Sequence, residues 1–177
     1  MNARLKSFLK LALAITLAGA AIVLVIERVR AFTRSGEDGA RLWFYDQSEK
    51  RLYAVPNDTI PPHRGIGGKS GDGVRAIVVA FGSPSTDRAK LRIAYLQTYS
   101  PELKQALEQI HAARLAYKKY AGLLVSPESD FYQTNTLVKL PEDPEWSPLA
   151  SSAGLAITTQ WRSWRGPGGA APVVCVP

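Results

Sequence analysis

The sequence predicts an α+β protein: an N-terminal transmembrane helix followed by a small, mainly antiparallel sheet covered by one long amphipathic helix. Three observations carry this reading. Leu11–Ile26 (LALAITLAGAAIVLVI) is an uninterrupted apolar run with basic residues on both sides. Gly73–Glu102 holds two apolar runs, Val74–Phe81 and Leu91–Tyr99, parted by a loop with Gly82, Pro84 and Asp87 as turn formers. Pro101–Tyr120 repeats Leu103, Ala106, Leu107, Ile110, Ala113 and Tyr117 at helical spacing.

In chain order, residues 1–10 read as a cytoplasmic flank and 11–30 as the membrane anchor. A span needs about 17–25 residues. Leu11–Ile26 reaches that length with Lys10 and Arg28 snorkelling to the interface. A cleavable signal peptide is the competing reading, with small residues at Ala18-Gly19-Ala20. Against it, Ile22–Ile26 stays apolar beyond those residues, and Glu27-Arg28-Val29-Arg30 looks like a membrane border. The preferred reading is an uncleaved signal anchor. Arg4, Lys6, Lys10 and the α-amino group on the N-terminal side face Arg28, Arg30 and Arg34 on the other. That balance slightly favours the N-terminus inside. The expected localisation is the inner (cell) membrane, single-pass, with the soluble domain facing the periplasm or the cell exterior.

Residues 31–41 form a linker, and 42–164 the α+β domain. Leu42–Tyr45 and Arg51–Val55 flank a turn and predict a hairpin. Trp43, Tyr45, Leu52 and Val55 are expected on one face, as core. Asp46 closes the first strand, and its expected work is to bond backbone amides in the turn. Pro56–Gly73 is a long loop dense in proline and glycine. Its Gly68-Lys69-Ser70 imitates the end of a phosphate-binding loop. His63 stands where the first glycine of that motif belongs, and a strand follows where a helix should. No nucleotide partner is expected.

Ser100-Pro101-Glu102 is a helix start, with a capping oxygen, a proline at the first position and an early carboxylate. Gly122 is placed to stop that helix. Leu123–Val125 and Leu137–Leu140 are short strand candidates, Ser126–Thr136 a loop anchored by Phe131 and Tyr132, and Gly154–Trp161 the last expected strand. Four or five strands are expected in all. Residues 165–177 (RGPGGAAPVVCVP) lack any period and are expected to be a disordered or extended tail.

Composition narrows the function. At 46% hydrophobic residues, the chain is too apolar to be disordered. Net charge is +7, from 22 basic and 15 acidic residues. Five of those basic residues and one acid fall in residues 1–30, and the remainder are interspersed. No basic stripe exists to predict a nucleic-acid partner. The single cysteine, Cys175, excludes an intrachain disulfide and a multi-cysteine metal site. The two histidines, His63 and His111, are unpaired in sequence, and the carboxylate pairs lie in turns. No catalytic, cofactor-binding or metal-binding residue is assigned.

The order of short motifs carries a resemblance. Trp43-Phe44-Tyr45-Asp46, Leu52-Tyr53, Ile60-Pro61-Pro62, Gly73-Val74-Arg75-Ala76, Ile93–Leu96 with Tyr99–Glu102, and Trp146-Ser147-Pro148 with Gly154 follow one another. Over Leu42–Ile157 the chain resembles an uncharacterised group of bacterial single-pass membrane-anchored proteins. The resemblance implies an anchored topology and no particular activity. It also implies cysteines, in some members, in the loop after the GVRA strand. Phe81–Ser85 stand there in this chain, so a thiol or metal role does not carry over.

The expected function is a membrane-anchored extracytoplasmic binding or scaffold module. Its expected partners are the lipid bilayer, through residues 11–30, and an envelope protein. One alternative is an envelope hydrolase or carbohydrate-acting enzyme, which a pocket gathering Asp46, His63, Arg75 or Glu102 would favour. Another is a pilin-like or secretion-apparatus structural subunit, although the processing glycine with its following Phe and Glu is missing.

Overall fold

A computed structural model describes residues 40–116 and 125–177. The anchor, the flank and most of the linker lie outside the described residues, as do Leu123 and Leu124 of one strand candidate. Among the described residues, no helix is long and apolar enough to cross a membrane.

The protein is α+β, with one sheet in which every pairing is antiparallel. Among the described residues seven strands make it, more than the sequence predicts: β1 (Arg41–Asp46), β2 (Arg51–Pro56), β3 (Gly73–Phe81), β4 (Arg92–Tyr99), β5 (Thr136–Lys139), β6 (Ser147–Pro148) and β7 (Pro172–Cys175). Their order is β2-β1-β3-β4-β5-β6, with β7 also paired to β3. Among the described residues three α-helices accompany them: α1 (Pro101–Leu115), α2 (Asp130–Asn135) and α3 (Ser152–Gln160).

β3 is the centre because it is apolar on both faces. Val74, Ala76, Val78 and Ala80 join Trp43, Leu91, Leu96 and Cys175 in one core. Its other face carries Arg75, Ile77, Val79 and Phe81. A strand covered on both sides reads as a continuous apolar run, as this one does. Opposite the Ile77/Val78 step, β4 carries one extra residue, the fully buried Ala94, and the register shifts there.

The hairpin forms where the sequence predicts it, with one correction. Ala54, not Val55, joins Tyr45 and Leu52 against the core around Trp43. Side chains alternate along a strand, so Leu52 and Ala54 share a face and Val55 falls on the other, with Tyr53.

α1 begins as predicted. The Ser100 hydroxyl accepts from the Leu103 amide, Pro101 occupies the first turn, and Glu102 follows. Its described part ends at Leu115, capped by Ala116, and residues 117–120 of the longer predicted helix lie outside the described residues. Of the described residues of its apolar stripe only Leu103 is fully buried, a contribution of about 1.5–3 kcal/mol. Ala106, Leu107, Ile110 and Ala113 are half-buried, so the helix covers the sheet loosely.

Three further expectations are corrected. Gly154–Trp161 is not a strand but most of α3. Ser151 caps it by accepting from the Gly154 amide, and Thr158 and Thr159 bond back to carbonyls one turn earlier. The Ser151 cap outweighs the β-propensity of Ile157, Thr158 and Thr159, whose threonine hydroxyls are absorbed by the helix's own carbonyls. The Ser126–Thr136 loop contains α2, capped by Ser129. The predicted disordered tail instead supplies β7, whose Val173, Val174 and Cys175 pair with Ala80, Val79 and Val78. Four apolar residues without a period are enough once a central strand has an open stretch of edge to receive them.

Candidate functional site

The Pro56–Gly73 segment is ordered from within. Asp46 sits at its base with no exposed surface. One carboxylate oxygen accepts from the amides of Ser48 (3.1 Å) and Glu49 (2.9 Å), the other from the amide of Gly67 at 3.1 Å. Asp72 accepts from the Ser48 amide at 3.0 Å and also from the Ser48 hydroxyl. Burial alone would raise the Asp46 carboxyl. The amides of Glu49 and Gly67, the Asp72 side chain and the Ser48 amide outweigh it and hold the carboxyl below its usual range. So Asp46 does the turn-bonding expected of it and also holds residues twenty positions downstream.

The rest of the segment closes on the sheet. His63 and Gly73 exchange two backbone hydrogen bonds, of 2.8 and 3.0 Å. The His63 ring stands edge-on to Phe44, 6.3 Å between centroids. The Tyr53 hydroxyl is buried next to Gly73 with no hydrogen-bond partner among the described residues, and burial, with Asp46 and Asp72 nearby, raises its pKa.

Between this segment and α1 runs a groove. Its polar part, about 370 Å³, is lined by Asp58, Pro62, His63, Arg64, Lys104 and Glu108 among others. Its apolar part, about 250 Å³, is lined by Leu42, Ile60, Arg75, Tyr99, Leu107 and Ile110, with His111 at the rim. Asp58, Thr59 and Ile60 belong to both. Several charges are already matched within the protein. His111 Nε2 lies 3.9 Å from Asp58, and Lys104 lies 3.7 Å from Glu108 while donating to the Pro62 carbonyl.

Arg75 differs. It is half-buried on the central strand, with Phe44 and Gln97 as register partners on either side. Its guanidinium stands beside the Tyr99 hydroxyl and close to Tyr95. Burial drives the Tyr99 phenol well above its usual range; the hydrogen bond to Tyr132 (3.1 Å between hydroxyls) adds to this, and Arg75 opposes it without reversing it. Among the described residues, no side-chain ion pair involves Arg75.

The four residues named for an enzymatic site do not converge. His63 lines the polar part of the groove and Arg75 the apolar part. Asp46 is consumed by amides beneath the segment, and Glu102 is exposed in the first turn of α1, where its own backbone amide and then the Ser100 side chain lower its carboxyl. The sequence did not reveal that the helix stripe residues Leu107 and Ile110 would line a groove, because their period reads equally as core.

A scan against protein-family models and searches of curated proteins and of solved structures find no match.

Proposed function

We propose that the chain is a membrane-anchored extracytoplasmic binding or scaffold module, resident in the cell membrane and facing the periplasm or exterior. The observation that carries this reading is Leu11–Ile26, an apolar run bordered by Arg4, Lys6 and Lys10 on one side and Arg28, Arg30 and Arg34 on the other. The resemblance to bacterial single-pass proteins agrees with it. The binding half of the reading is supported by the groove between the Pro56–Gly73 segment and α1. There polar groups line a concave apolar wall, and the candidate acid–base residues lie apart from one another.

The test is alkaline extraction of native membranes, combined with protease treatment of cells whose outer layers have been opened and with in-cell crosslinking. The expected result is retention in the membrane pellet, digestion of the domain from outside, and a reproducible envelope partner. Release by alkali overturns the anchor. Protection from protease overturns the topology, and crosslinks no different from background overturn the scaffold role.

A further inference from the structure

The groove contains a half-buried cation in an apolar setting. Arg75 forms part of its wall, flanked by Leu42, Ile60, Leu107, Ile110 and Tyr99. Taking a charge out of water is costly unless it is paired. Of the other charges along the groove, Lys104 has Glu108, Asp58 has His111 when that ring is protonated, and Arg64 is exposed to water and donates to the Gly68 carbonyl. Arg75 has a phenol beside it and no carboxylate in ion-pair reach among the described residues. Its β-strand backbone is fixed on both sides by ladders to β1 and β4, which limits how far it can retreat into water.

We propose that the apolar part of this groove binds a small carboxylate with a hydrocarbon body. The carboxylate lies against the Arg75 guanidinium and the hydrocarbon lies along Leu42, Ile60, Leu107 and Ile110. A planar guanidinium presents paired N–H donors that match a carboxylate, and low local polarity strengthens that contact. The half-buried stripe of α1 supplies the apolar wall that a bare inorganic anion would leave unused. Asp58 and Glu108, the acids along the groove, are offset by His111 when protonated and by Lys104, which reduces their repulsion of an incoming anion. The inference deepens the binding reading above and rests on it.

The test uses the full chain in lipid nanodiscs, with empty nanodiscs subtracted. Hexanoate, its neutral relative hexanamide and inorganic phosphate are titrated while the methyl resonances of Leu42, Leu107 and Ile110 are followed. Hexanoate is expected to shift these methyls saturably, at least tenfold more tightly than hexanamide or phosphate. Arg75→Gln should weaken hexanoate at least tenfold, and Arg75→Lys should fall between it and the parent. Leu107→Trp, which fills the groove and leaves Arg75 in place, should abolish the shifts; it keeps the test sound if Arg75→Gln does not fold. Equal binding of hexanamide, phosphate as tight as hexanoate, indifference to both Arg75→Gln and Leu107→Trp, or no saturable response overturns the proposal. Membrane extraction and crosslinking are read separately, so a failed titration leaves the anchor and scaffold reading standing, and a failed extraction leaves the ligand result standing.

Discussion

The Pro56–Gly73 segment and the C-terminal residues 165–177 look alike in sequence, rich in glycine and proline and without a period. They are ordered by opposite means. The first is gathered around buried carboxylates, with backbone bonds such as the His63–Gly73 pair closing it: Asp46 and Asp72 accept amide hydrogens from Ser48, Glu49 and Gly67. The second is gathered by its backbone. β7 adds to the edge of β3, Gly166 and Ala170 close a turn, and Cys175 enters the core at 4% exposure. A segment that cannot build its own hydrophobic face is thus ordered either by a buried carboxylate or by a strand with a free edge.

Breaking the first device should cost most. Asp46→Ala removes the buried carboxylate that accepts from three amides and is expected to lower stability by about 3 kcal/mol, since hydrogen bonds to a charged group are each worth more than neutral ones. Denaturant unfolding measures it, and a loss near zero would show that the segment is held by something else. Gly65→Ala should follow. A Cβ there would run into the Asp46 carboxylate and sit 3.2 Å from Asp72 Cβ, for an expected loss of about 1–3 kcal/mol. In the tail, Cys175→Ala removes one buried sulfur from the core and should cost about 1–2 kcal/mol, leaving β7 paired because its ladder is backbone. Greater protection from amide exchange in Val173–Cys175 than in the Gly65–Gly67 loop after this change would sharpen the contrast.

Acid separates the two devices without mutation. The folded Asp46 carboxyl is held below its unfolded value, so its stabilisation is fully present above the usual carboxylate range. It is lost as pH falls through the lower folded value. Amide protection in residues 64–72, relative to the unstructured rate at each pH, should therefore fall on acidification before protection in β7 does, and Asp46→Asn should flatten that dependence. The smallest expected effect is Gly67→Ala, under about 0.5 kcal/mol. Its new Cβ meets only Glu49 Oε1 and the neighbouring atoms of that flexible side chain, which can swing away. A loss as large as that of Gly65→Ala would mean that the Gly67 backbone itself is strained.

The sequence by itself determined the elements whose cause is local. The β1–β2 hairpin, the apolar runs of β3 and β4, the Ser100-Pro101 start of α1 and the amide-bonding role of Asp46 are legible because alternation, capping and turn chemistry act within a few residues. The tertiary structure alone decided the rest. It set Gly154, near the start of the locally capped α3, against the Pro148 carbonyl. It turned the tail into β7, which needed the stretch of β3 edge beyond its pairing with β1. It set Arg75 in a groove whose other wall is α1, about thirty residues onward. In sequence Arg75 is one charged residue in an apolar strand, named only among the residues a catalytic pocket would gather. Its partners come from four separate parts of the chain, and only long-range packing brings a cation, a phenol and a half-covered helix face together.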